Sequence, residues 1–284
     1  MLPFMLTLCA LVLYIASGAL YGANLFIEAP TAPKNQVKPT PLPVSRFGRP
    51  LLFTGAFVQF VAIGAWCVTT HKSPFASSFG SLSVLAWAIA LAFGILETRR
   101  RLPAVGAIAL AVTSLVLFLA LLQARNPVAK TPLLIGQLVS IHVLAILASF
   151  GLFAVSTSCA VLYILQNRLL KQRRHNGLFR KLPPLETLDR TAYFAVAYAT
   201  PLLTLGLVLG IIRTFGTDLP HPPGVWLRDP HTITALFTWL LYLCYFLSRL
   251  LLGLRGVRLQ YLLILGFLVA ISLYLIPTTT HHFL

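Results

Sequence analysis

The 30 residues from Gly136 to Leu165, GQLVSIHVLAILASFGLFAVSTSCAVLYIL, contain no charged side chain. A helix needs roughly 20 predominantly apolar residues to cross the hydrocarbon core of a bilayer. The stretch is long enough for such a helix, and its one histidine, His142, lies close to one end. We therefore predict a transmembrane helix that carries an imidazole near one membrane surface.

The rest of the chain has the same character. Of its 284 residues, 58% are hydrophobic and 10% are charged, with a mean hydropathy of +0.85. A soluble globular protein carries roughly 25% charged residues. The sequence therefore predicts an all-α, polytopic transmembrane bundle of about eight spanning helices, with segments at about 3–24, 50–70, 79–97, 103–123, 136–165, 191–213, 231–252 and 259–277.

The N-terminal segment is expected to be a retained transmembrane helix. No basic residue precedes Lys34, whereas a signal peptide begins with a positively charged region. The loop 25–49 that follows is Pro-rich and basic, which favours irregular structure. We therefore divide the chain into residues 1–49, a helix plus this loop, and residues 50–284, the main transmembrane domain.

Basic residues set the expected orientation. Seventeen of the 22 Lys and Arg residues fall in or beside alternate loops, which the positive-inside rule places in the cytoplasm. Both termini are then predicted to be non-cytoplasmic, in a multi-pass protein of the bacterial inner (plasma) membrane. The residues are Lys34, Lys38, Arg46, Arg49, Arg99, Arg100, Arg101, Arg168, Lys171, Arg173, Arg174, Arg180, Lys181, Arg190, Arg249, Arg255 and Arg258.

Composition also argues against several functions. The net charge of +16 is explained by membrane topology, and no long soluble basic segment is present to contact nucleic acid. The largest basic loop has some expected affinity for anionic membrane lipid. The four cysteines lie in apolar segments without a CxxC pair, which suggests small core residues. With no nucleophile–base pair and no phosphate loop, we expect a protein that is not an enzyme.

Most histidines fall on the face opposite the basic loops. A single histidine at a helix end is more often a polar group that meets water than a ligand. Two histidines from separate helices beside an aromatic loop are a better signal, because imidazole is a common axial ligand of haem iron. Six of the seven are predicted on this face: His71, His142, His221, His231, His281 and His282.

The segment GVWLRDPHTITALFTW, residues 224–239, supplies further candidates on this face. Trp226 is suited to wall a porphyrin, and Arg213 and Arg228 are suited to pair with its propionates. Each has a simpler alternative, since Trp and Arg also anchor helices at membrane interfaces. Asp229 with Pro230 has the pattern of an N-cap followed by the first helical residue.

At this point the sequence resembles the cytochrome c assembly family of membrane proteins, which includes haem-handling CcsA, HemX-like and YpjD-like proteins. The run from Trp226 to Leu275 resembles the family's external Trp-Asp-Pro loop, a helix with a Thr-Trp pair, and an Arg-Gly turn. The matching residues are Trp226, Asp229, Pro230, Thr238, Trp239, Arg255 and Gly256. SPFASSFGSLSVLAWAIALAFGILE, LPPLETLDR and PLLTLGLVLG add to the likeness, which covers roughly residues 50–284.

The resemblance implies a haem site. His142 matches the external haem-ligating histidine, and His281 or His282 matches the second. Haem would be b-type and non-covalent, with Asp229 and the Trp and Arg residues of the loop around it. Synthase-type members have further histidines inside the membrane, where this chain has Gln59 and Leu247.

Three functions are compatible with these features. The first is a factor in cytochrome c assembly that holds haem at the outer face for an apocytochrome c or a partner subunit. The second is a regulator of divalent-cation transport, although all six acidic residues fall at helix ends or in loops, whereas transport paths usually carry ionisable residues at mid-membrane depth. The third is a subunit that stabilises a larger complex without bound haem.

Overall fold

The computed structural model describes residues 2–26, 43–125, 137–173, 179, 181–216 and 230–272. At residues 26, 43–46, 125, 137, 213–216 and 231 it describes the backbone alone. The described residues form eight long α-helices, two short 3₁₀ turns and no β-strand. The prediction of an all-α fold is confirmed. The helices are α1 (Leu2–Phe26), α2 (Pro43–Thr70), α3 (Ser78–Arg99), α4 (Pro103–Leu122), α5 (Gln137–Lys171), α6 (Leu185–Gly216), α7 (Pro230–Leu252) and α8 (Val257–Ser272).

Seven of these helices, α1 to α7, are long and apolar enough to span a bilayer. The described part of α8 is a shorter apolar helix of 16 residues. The predicted eighth segment runs on to residue 277, and its last five residues lie outside the described ranges. The protein is thus a multi-pass helical membrane protein.

Several helices are longer than the apolar segments that predicted them. α2 begins at Pro43 and continues through Pro50, so the end of the loop predicted to be irregular is helical. α5 continues to Lys171, and α6 begins at Leu185. Hydrophobicity reports where a helix leaves the hydrocarbon core, whereas the helix itself can extend into the interface and carry basic side chains there.

The helices pack in an order that places chain neighbours side by side. α1 lies against α2 and α4, α3 lies against α2, α4 and α5, and α5 lies against α6 and α8. α7 completes the bundle against α6 and α8. At the crossing of α3 and α5, a Cβ added to Gly151 would lie 2.8 Å from the backbone oxygen of Ala88. Such small residues let membrane helices approach closely, and dispersion contacts then hold them together.

The four cysteines do not all occupy the core, so that prediction is wrong in part. Cys159 is buried and Cys67 is partly buried, but Cys9 and Cys244 are exposed on the outer surfaces of α1 and α7. A thiol is weakly polar and the bilayer core is apolar, so a cysteine that faces lipid is as well accommodated as one inside the bundle. All four thiols are free.

Candidate functional site

His142 lies in the second turn of α5 and points at α6. Its Nδ1 atom is 2.5 Å from the carbonyl oxygen of Gly206, and the ring is partly buried. A carbonyl oxygen only accepts hydrogen bonds, so Nδ1 must carry the proton. In the neutral ring the lone pair is then on Nε2. Histidines that bind metals commonly donate their other N–H to a carbonyl or carboxylate, which fixes the tautomer and the ring orientation.

Two glycines of α6 form a notch for this ring. Gly206 and Gly210 are one turn apart in the sequence GLVLG. A Cβ added to Gly210 would lie 2.7 Å from Cε1 of His142, and one added to Gly206 would lie 2.7 Å from Cγ1 of Ile146. Larger residues at either position would push α5 and α6 apart. The notch therefore positions the imidazole as well as the helices.

The third helix at this end of the bundle, α7, is tied to α6 by a tryptophan. Nε1 of Trp239 donates to Oγ1 of Thr204 at 2.9 Å. The Thr204 hydroxyl donates its proton to the carbonyl oxygen of Thr200 at 2.8 Å. Its oxygen can therefore accept the hydrogen bond from Trp239. Thr238, the other half of the predicted Thr-Trp pair, is completely buried. Thr238 and Trp239 therefore pack α7 against the rest of the bundle, about two turns after the start of α7.

A double-mutant cycle tests this tie. Trp239→Phe and Thr204→Val each remove one partner of the hydrogen bond, and we expect a coupling free energy of about 0.6 kcal/mol, the average for interhelical bonds between membrane helices. The measurement is the free energy of unfolding in detergent for the two single variants and the double variant. Fully additive losses would show that the bond contributes nothing.

The ends of the helices show which other residues share this face. His142 near the start of α5 contacts the end of α6, so the two helices are antiparallel. The ends of α7 and the starts of α6 and α8 meet at the opposite face. The start of α7 and the end of α8 therefore lie on the His142 side. The helix α7 begins at Pro230, as the cap pattern predicts.

Most of the other predicted site residues lie outside the described ranges. Arg213 lies in the last turn of α6, and only its backbone is described. The remainder belong to the segment between α6 and α7 or to the chain after α8: Trp226, Arg228, Asp229, His281 and His282. Among the described residues, no three His, Cys, Asp or Glu side chains are grouped to hold a metal ion.

The two intramembrane positions that resemble histidine sites in the family differ from each other. Gln59 on α2 is completely buried, and its Nε2 donates to the carbonyl oxygen of Ser83 on α3 at 2.8 Å. Leu247 on α7 is 39% exposed on the outer surface of the bundle. Gln59 therefore joins two helices through an amide, and Leu247 offers no ligand.

A buried ionic cluster at the opposite face was not predicted from sequence, which placed the acidic residues only at helix ends or in loops. Nη2 of Arg249 is 2.7 Å from Oδ2 of Asp189, and both side chains are about nine-tenths buried. Nε2 of Gln260 donates to Oδ1 of the same carboxylate at 2.9 Å. The Arg249 guanidinium also lies over the Tyr193 ring at 5.3 Å. The cluster joins α6, α7 and α8.

A sequence signal for this cluster exists in the spacing of α6. Asp189 precedes the buried residues Ala192 and Val196 by three and seven positions, the repeat of one helix face. An acidic residue on an apolar stripe needs a buried partner. Arg249 is 60 residues away. The spacing therefore indicates that Asp189 needs a buried partner, but it does not indicate which residue that partner is.

This arrangement defines a class: a polytopic helical membrane protein that presents a partly buried, oriented imidazole near one membrane face. The family described as Cytochrome C assembly protein matches residues 76–281, from the turn before α3 to beyond α8. The chain belongs to this family.

Individual relatives agree with the family match. The chain is 26% identical over 238 residues to the cytochrome c biogenesis protein CcsA of Guillardia theta, and the alignment covers 76% of each chain. It is 36% identical over 98 residues to protein HemX of Brevibacillus brevis, covering 34% of this chain and 36% of the relative. Protein HemX of Bacillus subtilis is 30% identical over 123 residues, 43% of each chain.

Proposed function

We propose that this protein acts in cytochrome c biogenesis by holding haem at the His142 face of the membrane. The observation that carries the proposal is the bond from Nδ1 of His142 to the Gly206 carbonyl, because a bond of this kind fixes the tautomer and the orientation of a metal-binding imidazole. Family membership and the CcsA relatives support a role in cytochrome c biogenesis.

In this proposal His142 would supply one imidazole to the haem iron through Nε2, and His281 or His282 would supply the other. Trp226 would wall the porphyrin, Asp229 would cap α7, and Arg213 and Arg228 would pair with the propionates. Two histidine ligands would hold b-type haem without a covalent bond, and the haem would supply redox chemistry. The chain itself orients and shields the haem for an apocytochrome c or a partner subunit, and performs no covalent step.

The proposed orientation follows from charge. Asp189 and Arg249 lie at helix ends that adjoin two of the predicted basic loops, and the positive-inside rule places those loops in the cytoplasm. The His142 face and both termini are then on the non-cytoplasmic side of a bacterial inner membrane.

The test is the absorption spectrum of the protein purified in mild detergent from haem-replete cells. We expect a Soret band and, after reduction, sharp α and β bands typical of two axial histidines. The double variant His281→Ala/His282→Ala should lose the sharp reduced bands and retain a weaker Soret band, since one ligand remains. A colourless wild type that stays colourless after haem titration would refute the proposal.

A second candidate is a subunit that stabilises or regulates a larger membrane complex, including one for divalent-cation transport, without haem. Gln59 and Leu247 favour it, because neither offers an imidazole at the intramembrane positions. A colourless protein that co-purifies with a stoichiometric partner would support this alternative. Transport through the chain itself is less well supported, because the described carboxylates Glu97, Glu186 and Asp189 all lie within two turns of a helix end.

A further inference from the structure

An open cleft lies between α6 and α7 at the face opposite His142. Its volume is about 360 Å³, and its lining combines charged, aromatic and aliphatic side chains. The buried pair of Asp189 and Arg249 forms part of the wall. The remaining lining residues are Glu186, Arg190, Tyr193, Phe194, Leu250, Gly253 and Arg255.

The charge of the cleft is positive once internal pairing is taken into account. Asp189 and Arg249 neutralise each other, which leaves Arg190 and Arg255 against Glu186. Both arginines are exposed. The Arg190 guanidinium lies 5.6 Å from the centre of the Phe194 ring, so its charge is held beside an apolar surface. This lining matches a ligand that carries negative charge next to hydrocarbon.

The backbone of the turn between α7 and α8 presents the second arginine. Gly253 has φ +59° and Gly256 has φ +125°, conformations that other residues rarely adopt. Nη1 of Arg249 donates to the carbonyl of Leu254 at 2.9 Å. The ionic cluster therefore fixes the turn that carries Arg255.

Apolar side chains surround these charges on the outer surface. Phe194 is 41% exposed and Leu250 is 55% exposed, and both line the cleft. Leu251, Leu252 and Leu254, which follow Leu250 along the chain, are exposed as well. Leucines open to the outside at the end of a membrane-spanning helix face lipid, and arginines at the same level face headgroups.

We propose that this cleft binds the phosphate headgroup of an anionic phospholipid. Arg190 and Arg255 contact the phosphate, and Phe194 and Leu250 contact the acyl chains. Guanidinium groups suit this role because they donate paired hydrogen bonds to phosphate oxygens. The lipid would brace α6 against α7 and the turn, on the side of the bundle away from the imidazole. The proposal is independent of haem binding.

The experiment compares two charge-matched variants in nonionic detergent. Arg190→Gln/Arg255→Gln removes the two cleft arginines, and Arg101→Gln/Arg258→Gln removes two exposed arginines near the same face that do not line the cleft. The thermal unfolding midpoint is followed while phosphatidylglycerol, phosphatidylcholine or inorganic phosphate is added. A basic residue near an anionic lipid surface contributes roughly fivefold in affinity, so we expect about thirtyfold weaker phosphatidylglycerol binding for the cleft variant.

The outcomes are distinct. Stabilisation of the wild type and the control variant by phosphatidylglycerol alone, lost in the cleft variant, supports the proposal. An equal loss in both variants would assign the effect to the general charge of the face and overturn it. Equal stabilisation by inorganic phosphate, or by phosphatidylcholine, would show that the cleft does not select an anionic lipid.

Discussion

Arg249→Met is expected to lower the free energy of unfolding by about 3–5 kcal/mol. The substitution keeps much of the apolar stem but leaves the buried carboxylate of Asp189 without its cation. Gln260 still donates one hydrogen bond to it, which is too little to offset the desolvation of a full charge. The loss should be large because the cluster joins α6, α7 and α8 at a single point.

The measurement is equilibrium unfolding in mixed micelles, with two companion variants. Asp189→Asn/Arg249→Met removes both charges and keeps an oxygen for Gln260, so we expect it to recover at least half of the loss. Arg258→Met removes an exposed arginine on α8 that does not line the cleft, and it should change stability by no more than about 0.5 kcal/mol. If Arg249→Met were as mild as Arg258→Met, the ion pair would not hold the three helices together.

His142→Asn is expected to weaken haem binding strongly while leaving the bundle intact. An asparagine amide can still donate to the Gly206 carbonyl, so the contact between α5 and α6 is retained. It cannot replace imidazole as an iron ligand, and we expect affinity for haem to fall by more than about 100-fold, beyond the loss typical of an outer-shell change. His142→Ala should lose haem as well, and also some stability, because it removes the bond to Gly206.

A substitution at a neighbouring residue tests whether the position of the His142 ring matters, because it displaces the ring and leaves the histidine in place. Gly210→Ala would place a methyl group 2.7 Å from Cε1 of His142, and we expect it to weaken haem binding by about 10–100-fold. Gly64→Ala on α2 is the matched control, since its added Cβ meets no atom within 4 Å. Haem titrations followed at the Soret band give the affinities of all these variants.

If His142→Asn bound haem with wild-type affinity, His142 would not be a ligand of the haem iron.

Much of the fold was predictable because the free energy of placing a segment in a bilayer depends on that segment alone. Twenty or more apolar residues form a spanning helix whatever the rest of the chain does. The order and number of the helices followed from this rule, and the start of α7 at Pro230 followed from the cap pattern. The helix ends in the interface were less predictable, since Arg168 and Lys171 are compatible with either a helix or a loop.

The candidate site was predictable only in part. His142 was identified from its place near the end of an apolar segment and from the resemblance to the family. Its partner Gly206 is 64 residues away, and nothing in the local sequence names it. The proposed companions in the loop before α7 and in the chain after α8 remain predictions from sequence.

By itself, the sequence determined the membrane class, the number and order of the helices, and the charge asymmetry of the two faces, because each is a local property. Tertiary structure alone decided which faces meet. α5 and α6 are apolar nearly all round, so no contrast between polar and apolar sides indicates their contact surfaces. Only packing brought Gly206 and Gly210 to His142, and Asp189 to Arg249 and Gln260. In an apolar solvent, close approach of small residues and the pairing of buried polar groups select the arrangement of helices.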